Sequence, residues 1–267
     1  MVSFPNCKIN LGLHVLSKRE DGFHEIETCF YPVPWADVLE VIPSNRFTFI
    51  STGLSIPGAT DDNLCVRAYK LLQAKFKLAP VAIHLHKVVP MGAGLGAGSS
   101  DAAFTLKSIN EVFELRLDNS ALKEFASNLG SDCSFFIENK PLLGKGKGNE
   151  LEEVNVSLKG KHLVIVKPPI HVSTKDAYSG MVPKASRRSL SEILGEPSIW
   201  KQELVNDFEA SIFKRFPEIE LIKNRLYELG AYYACMSGSG SSVYGLFEEA
   251  ISLEEEFHGM TCWGGQL

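Results

Sequence analysis

Apolar residues recur along the chain at two spacings, one typical of strands and the other of helices. Apolar and polar residues alternate over 9–16 and again over 81–86, which predicts a strand in each segment. Three shorter extended segments are predicted at 23–28, 38–42 and 47–50. The first part of the chain is therefore predicted to be rich in strands.

Helical spacing replaces this alternation in other segments. Apolar residues three and four positions apart predict helices over 64–76 and over 102–113. The carboxylates at 61–62 can cap the first of these helices. A further helix is predicted from Ser120, as its N-cap, to a terminating Gly130.

From Ser189 onward helices dominate, and Pro217 fits the first position of one of them. Strands are also predicted in the C-terminal part, at 163–166, 231–236, 242–247 and 257–263. A strand-rich part and a helix-rich part meet near 155–160, which predicts two domains, 1–157 and 158–267.

A glycine-rich segment, Pro90–Ser100, lies between the predicted strand at 81–86 and the predicted helix at 102–113; we call it the first glycine loop. Glycine lets a ligand approach the backbone closely, and a helix N-terminus adds free N–H donors and partial positive charge. This combination favours a phosphate site, the alternative being a glycine-rich turn with an ordinary helix cap. Ser99 follows the last glycine where a Walker loop needs lysine, and the spacing does not match the dinucleotide fingerprint.

The composition of the 267-residue chain argues against several classes of protein. Hydrophobic residues make up 45% and charged residues 22%, as in an ordinary globular protein. A net charge of −5 argues against a dedicated nucleic-acid-binding protein. No apolar run reaches the ~18–20 residues that span a bilayer, and the N-terminal residues lack the pattern of a signal peptide.

The six cysteines are scattered and form no C-x-x-C pair of the kind found in zinc and redox sites. Most have apolar neighbours in the sequence, so we expect buried thiols and the reducing cytoplasm as the compartment. The net charge and the missing membrane-spanning run also lead us to expect no nucleic-acid or membrane partner.

Further motifs accompany the first glycine loop: Lys8–Leu13 followed by Asp21–Glu25, then Gly130–Phe136 and Met236–Ser242. In this order and at these distances the motifs resemble those of the GHMP small-molecule kinases, over about residues 6–248. The resemblance implies an α+β fold of two lobes, a ribosomal-protein-S5-like N-terminal half and a ferredoxin-like C-terminal half. It also implies an active site between the lobes.

Within these kinases the motifs are similar to those of the branch that phosphorylates the 2-hydroxyl of a cytidine-diphosphate-linked methylerythritol, a step of the non-mevalonate isoprenoid pathway. The resemblance implies ATP as co-substrate, Mg²⁺, and a cytidine-diphosphate-linked small molecule as the substrate of a monomer or weak homodimer. One alternative is another GHMP kinase of the homoserine or mevalonate type, which would have no use for a nucleobase site at Asp21–Glu25. The other is a catalytically inactive nucleotide-binding regulator, against which the presence of both Lys8 and Asp132 argues.

The resemblance assigns two catalytic residues. Asp132 is implied as the base that accepts the hydroxyl proton, and Lys8 as the cation that stabilises the attacking oxygen and the transferring phosphoryl group. A helix cap and a solvated lysine are the alternatives for these two residues. Lys8 interrupts an apolar strand start, where a lone charge is costly, and Asn10 projects from the same strand face to bind substrate.

The resemblance also assigns the substrate-binding residues. Phe23 and Tyr178 match positions where two rings stack on cytosine, a contact worth ~1–3 kcal/mol per base, and His24 matches the residue that reads the cytosine edge. A core side chain and a surface histidine are the alternatives for Phe23 and His24. The rest of the substrate is assigned to Tyr31, Thr174, Gly238 and Ser239.

For ATP, the resemblance implies that the first glycine loop wraps the phosphates and that two serine hydroxyls add donors. The adenosine side is assigned to Asn63 and Lys87. The phosphates are assigned to Pro90, Met91, Gly92, Ala93, Gly94, Leu95, Gly96, Ala97, Gly98, Ser99 and Ser100. Mg²⁺ is expected to bridge the phosphates, with no protein ligand assigned. Asp101 is interpreted as a cap of the helix N–H groups, a neighbour of the magnesium ion, or both.

Overall fold

The computed structural model describes residues 1–179, 181–184, 187–251 and 256–267. The strands in these residues are β1 (Val2–Ser3), β2 (Asn6–Lys18), β3 (His24–Ala36), β4 (Val38–Pro43), β5 (Thr48–Gly53), β6 (Val81–Lys87), β7 (Leu142–Lys145), β8 (Glu150–Glu153), β9 (His162–Lys167), β10 (Tyr233–Met236), β11 (Val243–Phe247) and β12 (Thr261–Gln266). The helices are α1 (Leu64–Phe76), α2 (Ala97–Val112), α3 (Asn119–Ser127), α4 (Cys133–Glu138), α5 (Thr174–Tyr178), α6 (Leu190–Leu194), α7 (Trp200–Glu203), α8 (Glu209–Arg215) and α9 (Pro217–Glu228). Short 3₁₀ helices lie at Thr60–Asp62 and Pro197–Ile199.

The chain forms two compact units, and several segments alternate between them. The first unit comprises Met1–Cys7, Trp35–Met91 and Gly96–Lys140. The second comprises Lys8–Pro34, Gly92–Leu95 and Pro141–Leu267. The division into domains 1–157 and 158–267 stays a prediction.

The first unit is built on a sheet with the strand order β1-β4-β6-β5. Strand β5 runs parallel to β6, and the other neighbours are antiparallel. Ile83 and Leu85 on β6 are buried, whereas His84 and His86 between them are exposed. The alternation that predicted this strand is therefore confirmed, and β6 leads directly into the first glycine loop. Helices α1 and α2 pack against each other, and α2 packs on β4.

The second unit contains the other two sheets, ordered β2-β3-β7-β8 and β10-β11-β9-β12. Every residue of β2 from Cys7 to Val15 is buried. Helix α9 packs on β10 and β11. Strands β10 and β11 flank Ser237–Gly240, which we call the C-terminal glycine loop, as the sequence predicts.

Three helix starts differ from the sequence predictions because another residue supplies the cap. Asn63, rather than an aspartate at 61–62, accepts the capping hydrogen bond of α1 from the Cys65 N–H. Asp118, rather than Ser120, caps α3. Helix α2 begins at Ala97, earlier than predicted, because a left-handed glycine forms its N-cap without any side chain. The start of α9 at Pro217 is confirmed.

His14 on β2 makes folding stability depend on pH. The residue is 1% exposed, and burial, assisted by the charge of Arg187, lowers its pKa from 6.5 to about 4. Because the unfolded chain then binds the extra proton, the stabilisation is complete above pH 6.5 and is lost as the pH falls towards 4. We expect His14 alone to lower the free energy of unfolding by about 2 kcal/mol between pH 7 and pH 5.

Urea unfolding at both pH values measures this contribution. The His14→Gln variant should lose that part of the pH dependence, whereas the His258→Gln variant, which changes an exposed histidine, should keep it. An unchanged pH dependence in His14→Gln would show that His14 is not the responsible group.

Candidate active site

The first glycine loop leads into the N-terminus of helix α2, which is suited to binding an anion. Helix α2 has 16 residues, its N-cap Gly96 has a φ of +68°, and its first turn carries no acidic side chain. The first backbone N–H groups of a helix have no partner within the helix, and the helix dipole adds positive charge there. The helix start that the sequence placed beside the loop is therefore present, with the serine pair inside its first turns.

The first glycine loop packs closely on the C-terminal glycine loop at Gly94. Gly94 has a φ of +77°, and a Cβ added to it would lie 1.9 Å from the carbonyl oxygen of Ser237. The Ser242 N–H donates to the Ala93 carbonyl at 3.2 Å. Two motifs separated by more than 140 residues thus meet backbone to backbone, and only glycine fits at position 94.

Lys8 lies within this arrangement and is almost completely buried. Its Nζ donates to Oδ1 of Asn10 and, at 3.1 Å, to the carbonyl of Gly94. The ammonium also lies 5.3 Å from the centre of the Phe30 ring. The interpretation of Lys8 as a solvated lysine is therefore wrong, and its charge is held beside the first glycine loop.

The orientation of the Asn10 amide follows from its neighbours. Thr28 donates its hydroxyl hydrogen to the Gly12 carbonyl at 2.6 Å, so it accepts from Nδ2 of Asn10 at 2.9 Å. This leaves Oδ1 of Asn10 directed at Lys8. Sequence reasoning missed Thr28, because its partner lies on the neighbouring strand and no motif marks it.

Asp132 immediately precedes α4 and is half-buried. The Ser131 hydroxyl donates to Oδ1 of Asp132 at 3.3 Å. Among the described residues its carboxylate accepts no capping hydrogen bond from α4, which argues against the interpretation as a helix cap.

The turn that carries Asp132 lies beside the first turn of α2. A Cβ added to Gly130 would lie 3.4 Å from Sγ of Cys133 and 3.8 Å from Oγ of Ser99. Burial raises the pKa of Cys133 to about 11, so this thiol stays protonated at neutral pH. The turn that carries the predicted base therefore lies beside Ser99, one of the two predicted phosphate-binding serines, within the first unit.

The structure corrects the sequence interpretation of Lys87. Its ammonium is buried and forms ion pairs with Asp37 and, at 2.8 Å, with Asp101. Asp37 also accepts the N–H groups of Val88 and Val89 at 2.6 and 2.9 Å. Lys87 therefore holds the entrance of the first glycine loop in place, and its ammonium is directed at two carboxylates rather than at a site for adenosine.

Asp101 also differs from expectation, since it pairs with Lys87 and does not cap α2. Burial raises the pKa of Asp101 to about 7, although the charge of Lys87 opposes this shift. The negative charge that the sequence placed near the phosphates is thus offset by a lysine. The neighbouring Ser100 is fully buried, and its hydroxyl has no hydrogen-bond partner within the described part of the chain.

Replacing Lys87 by methionine should destabilise the fold. Two carboxylates would remain buried without their cation, a change that typically costs about 3–5 kcal/mol. The free energy of unfolding in urea, measured without nucleotide, gives the value. The matched control is Lys70→Met, since Lys70 forms an exposed ion pair with Asp61 of a kind worth about 0–1 kcal/mol. Equal effects of the two substitutions would contradict the structural role of Lys87.

A pocket of about 90 Å³ lies beside the start of α2. Asn63, Met91 and Gly98, all assigned to ATP from the sequence, contribute to its lining. The apolar part of the lining comes from Ile56, Pro57 and Leu64. Oδ1 of Asn63 is used as the α1 cap, so this residue shapes the pocket by fixing the helix start.

The three residues that are predicted to bind the nucleobase lie in different environments. Phe23 is 58% exposed, and the Lys147 ammonium lies 4.7 Å from its ring centre, so the interpretation as a core side chain is wrong. His24 stacks on Tyr178 with ring centres 4.5 Å apart and an interplanar angle of 17°. Tyr178 in turn meets the edge of Phe208 at 4.7 Å. Burial lowers the pKa of His24, as does the charge of Lys18, so the imidazole is neutral at pH 7.

The other residues that are predicted to bind the substrate differ in their exposure to solvent. Tyr31 is buried, and its hydroxyl accepts from the Leu158 N–H at 3.0 Å. Thr174 is exposed at the first position of α5. Gly238 lies against Asn10, since a Cβ added there would be 3.3 Å from Oδ1 of that residue. Ser239 is the half-buried residue of the C-terminal glycine loop.

The cysteines are free, and five of the six are buried, which confirms the expectation of buried thiols. Within the described ranges, no group of three His, Cys, Asp or Glu side chains is placed to hold a metal ion. Among the helices described, none combines the length and apolar content needed to cross a membrane.

Comparisons with known proteins match two segments of the chain to models of one protein family. Residues 63–139 match the model for the GHMP kinases N terminal domain, and residues 190–261 match that for GHMP kinases C terminal. The 4-diphosphocytidyl-2-C-methyl-D-erythritol kinase of Cytophaga hutchinsonii is 53% identical over 97% of this chain and 95% of its own length.

Two solved structures place the fold. A crystal structure of 4-(cytidine 5'-diphospho)-2C-methyl-D-erythritol kinase matches with a TM-score of 0.79 and 32% identity, over 92% of this chain and 90% of that one. The Methanococcus jannaschii mevalonate kinase matches with a TM-score of 0.68 over 99% of this chain and 97% of its own. At 13% identity, that second likeness shows a shared fold alone.

Proposed function

Because the chain belongs to the GHMP kinases and, within them, to the family of 4-diphosphocytidyl-2-C-methyl-D-erythritol kinases, we propose that it transfers the γ-phosphoryl group of ATP to the 2-hydroxyl of 4-diphosphocytidyl-2-C-methyl-D-erythritol. This reaction is a step of the non-mevalonate isoprenoid pathway. The observation that carries the proposal is the buried cluster in which Lys8 and Asn10 meet the first glycine loop at Gly94.

Phosphoryl transfer requires positioning of the reactants and neutralisation of phosphate charge. The backbone of the first glycine loop and the start of α2 bind the ATP phosphates, with the hydroxyls of Ser99 and Ser100 as added donors. Mg²⁺ prefers oxygen ligands and keeps several waters, and the Ser100 hydroxyl, which is buried and has no hydrogen-bond partner in the described part of the chain, would hold it. When bound, Mg²⁺ neutralises part of the phosphate charge.

The acceptor hydroxyl loses its proton to Asp132 as its oxygen forms the new bond to the γ-phosphorus. The bond between this phosphorus and the bridging oxygen breaks, and ADP leaves. Lys8 stabilises the negative charge on the attacking oxygen and the transferring phosphoryl group. Asn10, held by Thr28, keeps the Lys8 ammonium in place and supplies a hydrogen-bonding group on the same strand face.

The cytosine base binds at Phe23, His24 and Tyr178. In the structure the His24 ring covers a face of Tyr178, so a base can stack on that face only after His24 moves away. A neutral imidazole carries one donor and one acceptor, which suits recognition of a nucleobase edge. The rest of the substrate binds at four further residues: Tyr31, Thr174, Gly238 and Ser239.

The alternatives have less support. The likeness to mevalonate kinase concerns the fold alone, and a small alcohol has no use for an exposed aromatic residue beside a neutral histidine. An inactive regulator has no use for a buried lysine aimed at the first glycine loop. We also propose that the protein works in the cytoplasm as a monomer or weak homodimer, in line with its net charge of −5 and its free cysteines.

Removing the exposed ring at Phe23 tests the substrate assignment. The Phe23→Ala variant should raise KM for the cytidine substrate by about 10- to 100-fold, since stacking on a base is worth ~1–3 kcal/mol, and leave KM for ATP unchanged. Steady-state kinetics with each substrate varied in turn measures both constants. Leu221→Ala is the control, because Leu221 is 64% exposed on α9. An unchanged KM for the cytidine substrate would exclude base stacking at Phe23.

A further inference from the structure

We propose that Asn206 is a positioning residue for phosphoryl transfer, because it fixes the C-terminal glycine loop against Asn10 and the first glycine loop. The effect on turnover rests on the proposed function. The effect on loop geometry does not, and can be measured separately.

Asn206 is 2% exposed. Both the nitrogen and the oxygen of its side-chain amide are hydrogen-bonded. Its Nδ2 donates to the carbonyls of Met236 at 2.7 Å and Gly238 at 2.8 Å. Its Oδ1 accepts from the N–H of Phe208 at 3.0 Å. The amide can therefore take only one orientation, and both of its hydrogens hold the C-terminal glycine loop.

The two carbonyls bound by Asn206 lie on either side of Ser237. The hydroxyl of Ser237 donates to the Gly94 carbonyl at 2.9 Å and accepts from the Asn10 N–H at 3.2 Å. Lys8 donates to the same Gly94 carbonyl at 3.1 Å. Ser237 and Lys8 therefore share the Gly94 carbonyl oxygen as their acceptor. Because a shift of Ser237 would move this oxygen, the loss of the Asn206 hydrogen bonds would also displace the Lys8 ammonium.

The residues beside Asn206 bind elsewhere, so its role is separate from theirs. Asp207 accepts from the Val15 N–H at 2.7 Å, which ties this segment to β2. Glu209 accepts from the Met236 N–H at 2.8 Å, at the end of β10. Of these three side chains, Asn206 is the one that reaches a carbonyl inside the C-terminal glycine loop.

The decisive substitution is Asn206→Asp, which keeps the size and the acceptor for Phe208 but replaces both donor hydrogens with an oxygen. We expect kcat to fall by roughly 10- to 100-fold, the scale on which small misplacements of catalytic groups act, with both KM values within about threefold of wild type. Tyr233→Phe is the control. It removes a buried hydrogen bond to the carbonyl of Leu204, two residues before Asn206, and should leave kcat unchanged.

A double-mutant cycle separates positioning from general destabilisation. If Asn206 acts through Ser237, the losses in kcat of Asn206→Ala and Ser237→Ala should not multiply in the double variant. Tyr233→Phe combined with Ser237→Ala should show only the loss of Ser237→Ala. The proposal would be overturned if the losses of Asn206→Ala and Ser237→Ala multiplied in the double variant. It would also be overturned if Asn206→Asp kept the wild-type kcat.

Hydrogen–deuterium exchange tests the geometry without any substrate. Asn206→Asp should speed exchange at least tenfold in peptides covering 92–96 and 236–242, whereas Tyr233→Phe should not. Faster exchange in a protein whose wild type does not phosphorylate the cytidine substrate would refute the proposed function and retain the positioning role. Unchanged exchange in an active protein would refute the positioning role alone.

Discussion

The Asp132→Asn variant should lose at least ~100-fold in kcat, the lower scale for removal of a general base. Asparagine keeps the size of the side chain but cannot accept the proton of the attacking hydroxyl. The turn that carries residue 132 packs beside Ser99 through Gly130, and asparagine leaves that packing unchanged. KM for ATP should therefore stay close to the wild-type value. A coupled assay of ADP release, with each substrate varied, measures both constants.

The matched control is Asp118→Asn. Asp118 also precedes a helix in the first unit, and its carboxylate caps α3 by accepting from the Ala121 N–H at 2.8 Å. This variant should keep wild-type kcat and lose only a little stability, since asparagine is also a good N-cap. Full turnover in Asp132→Asn would mean that Asp132, like Asp118, has a structural role and no part in the chemistry.

The Lys8→Met variant should lose about 100- to 1,000-fold in kcat, the scale for removing one preorganised group that stabilises transition-state charge. Methionine approximates the length of lysine but brings no charge to Asn10 and the Gly94 carbonyl. The loss should appear in kcat, because Lys8 acts on the charge that develops during transfer. Single-turnover kinetics at saturating ATP measures the chemical step directly.

The control is Lys161→Met, which removes an exposed ammonium paired with Glu248 in the second unit. It should turn over like the wild type. If Lys8→Met instead raised KM for ATP at an unchanged kcat, Lys8 would bind ATP equally in the ground and transition states. The catalytic role assigned to it would then be wrong.

Local sequence signals predicted the parts of the fold that depend on local structure. Alternation over 81–86 predicted the strand, and the first glycine loop was predicted between its strand and its helix. The start of α2 was predicted too late, because the rules for caps look for a side chain, whereas Gly96 begins the helix through its backbone conformation.

Contacts distant in sequence could not be predicted in this way. Lys87 next to a glycine-rich loop suggests a nucleotide contact, yet its buried partner Asp37 lies 50 residues earlier in the chain. The stacking of His24 on Tyr178 and the clamp of Asn206 on Gly238 likewise depend on tertiary structure. For the catalytic pair, spacing and resemblance named Lys8 and Asp132, but only the structure shows that Lys8 is buried beside the first glycine loop.

The most direct test of the central claim is a reaction of the purified protein with Mg-ATP and 4-diphosphocytidyl-2-C-methyl-D-erythritol, followed by ³¹P NMR and by ADP release. One ADP should form for each new phosphate monoester, and the new phosphate should lie at the 2-position of the methylerythritol unit. Mevalonate and homoserine, offered under the same conditions, should not be phosphorylated. Phosphorylation of either of these alcohols, with the cytidine substrate left unchanged, would contradict the proposed reaction.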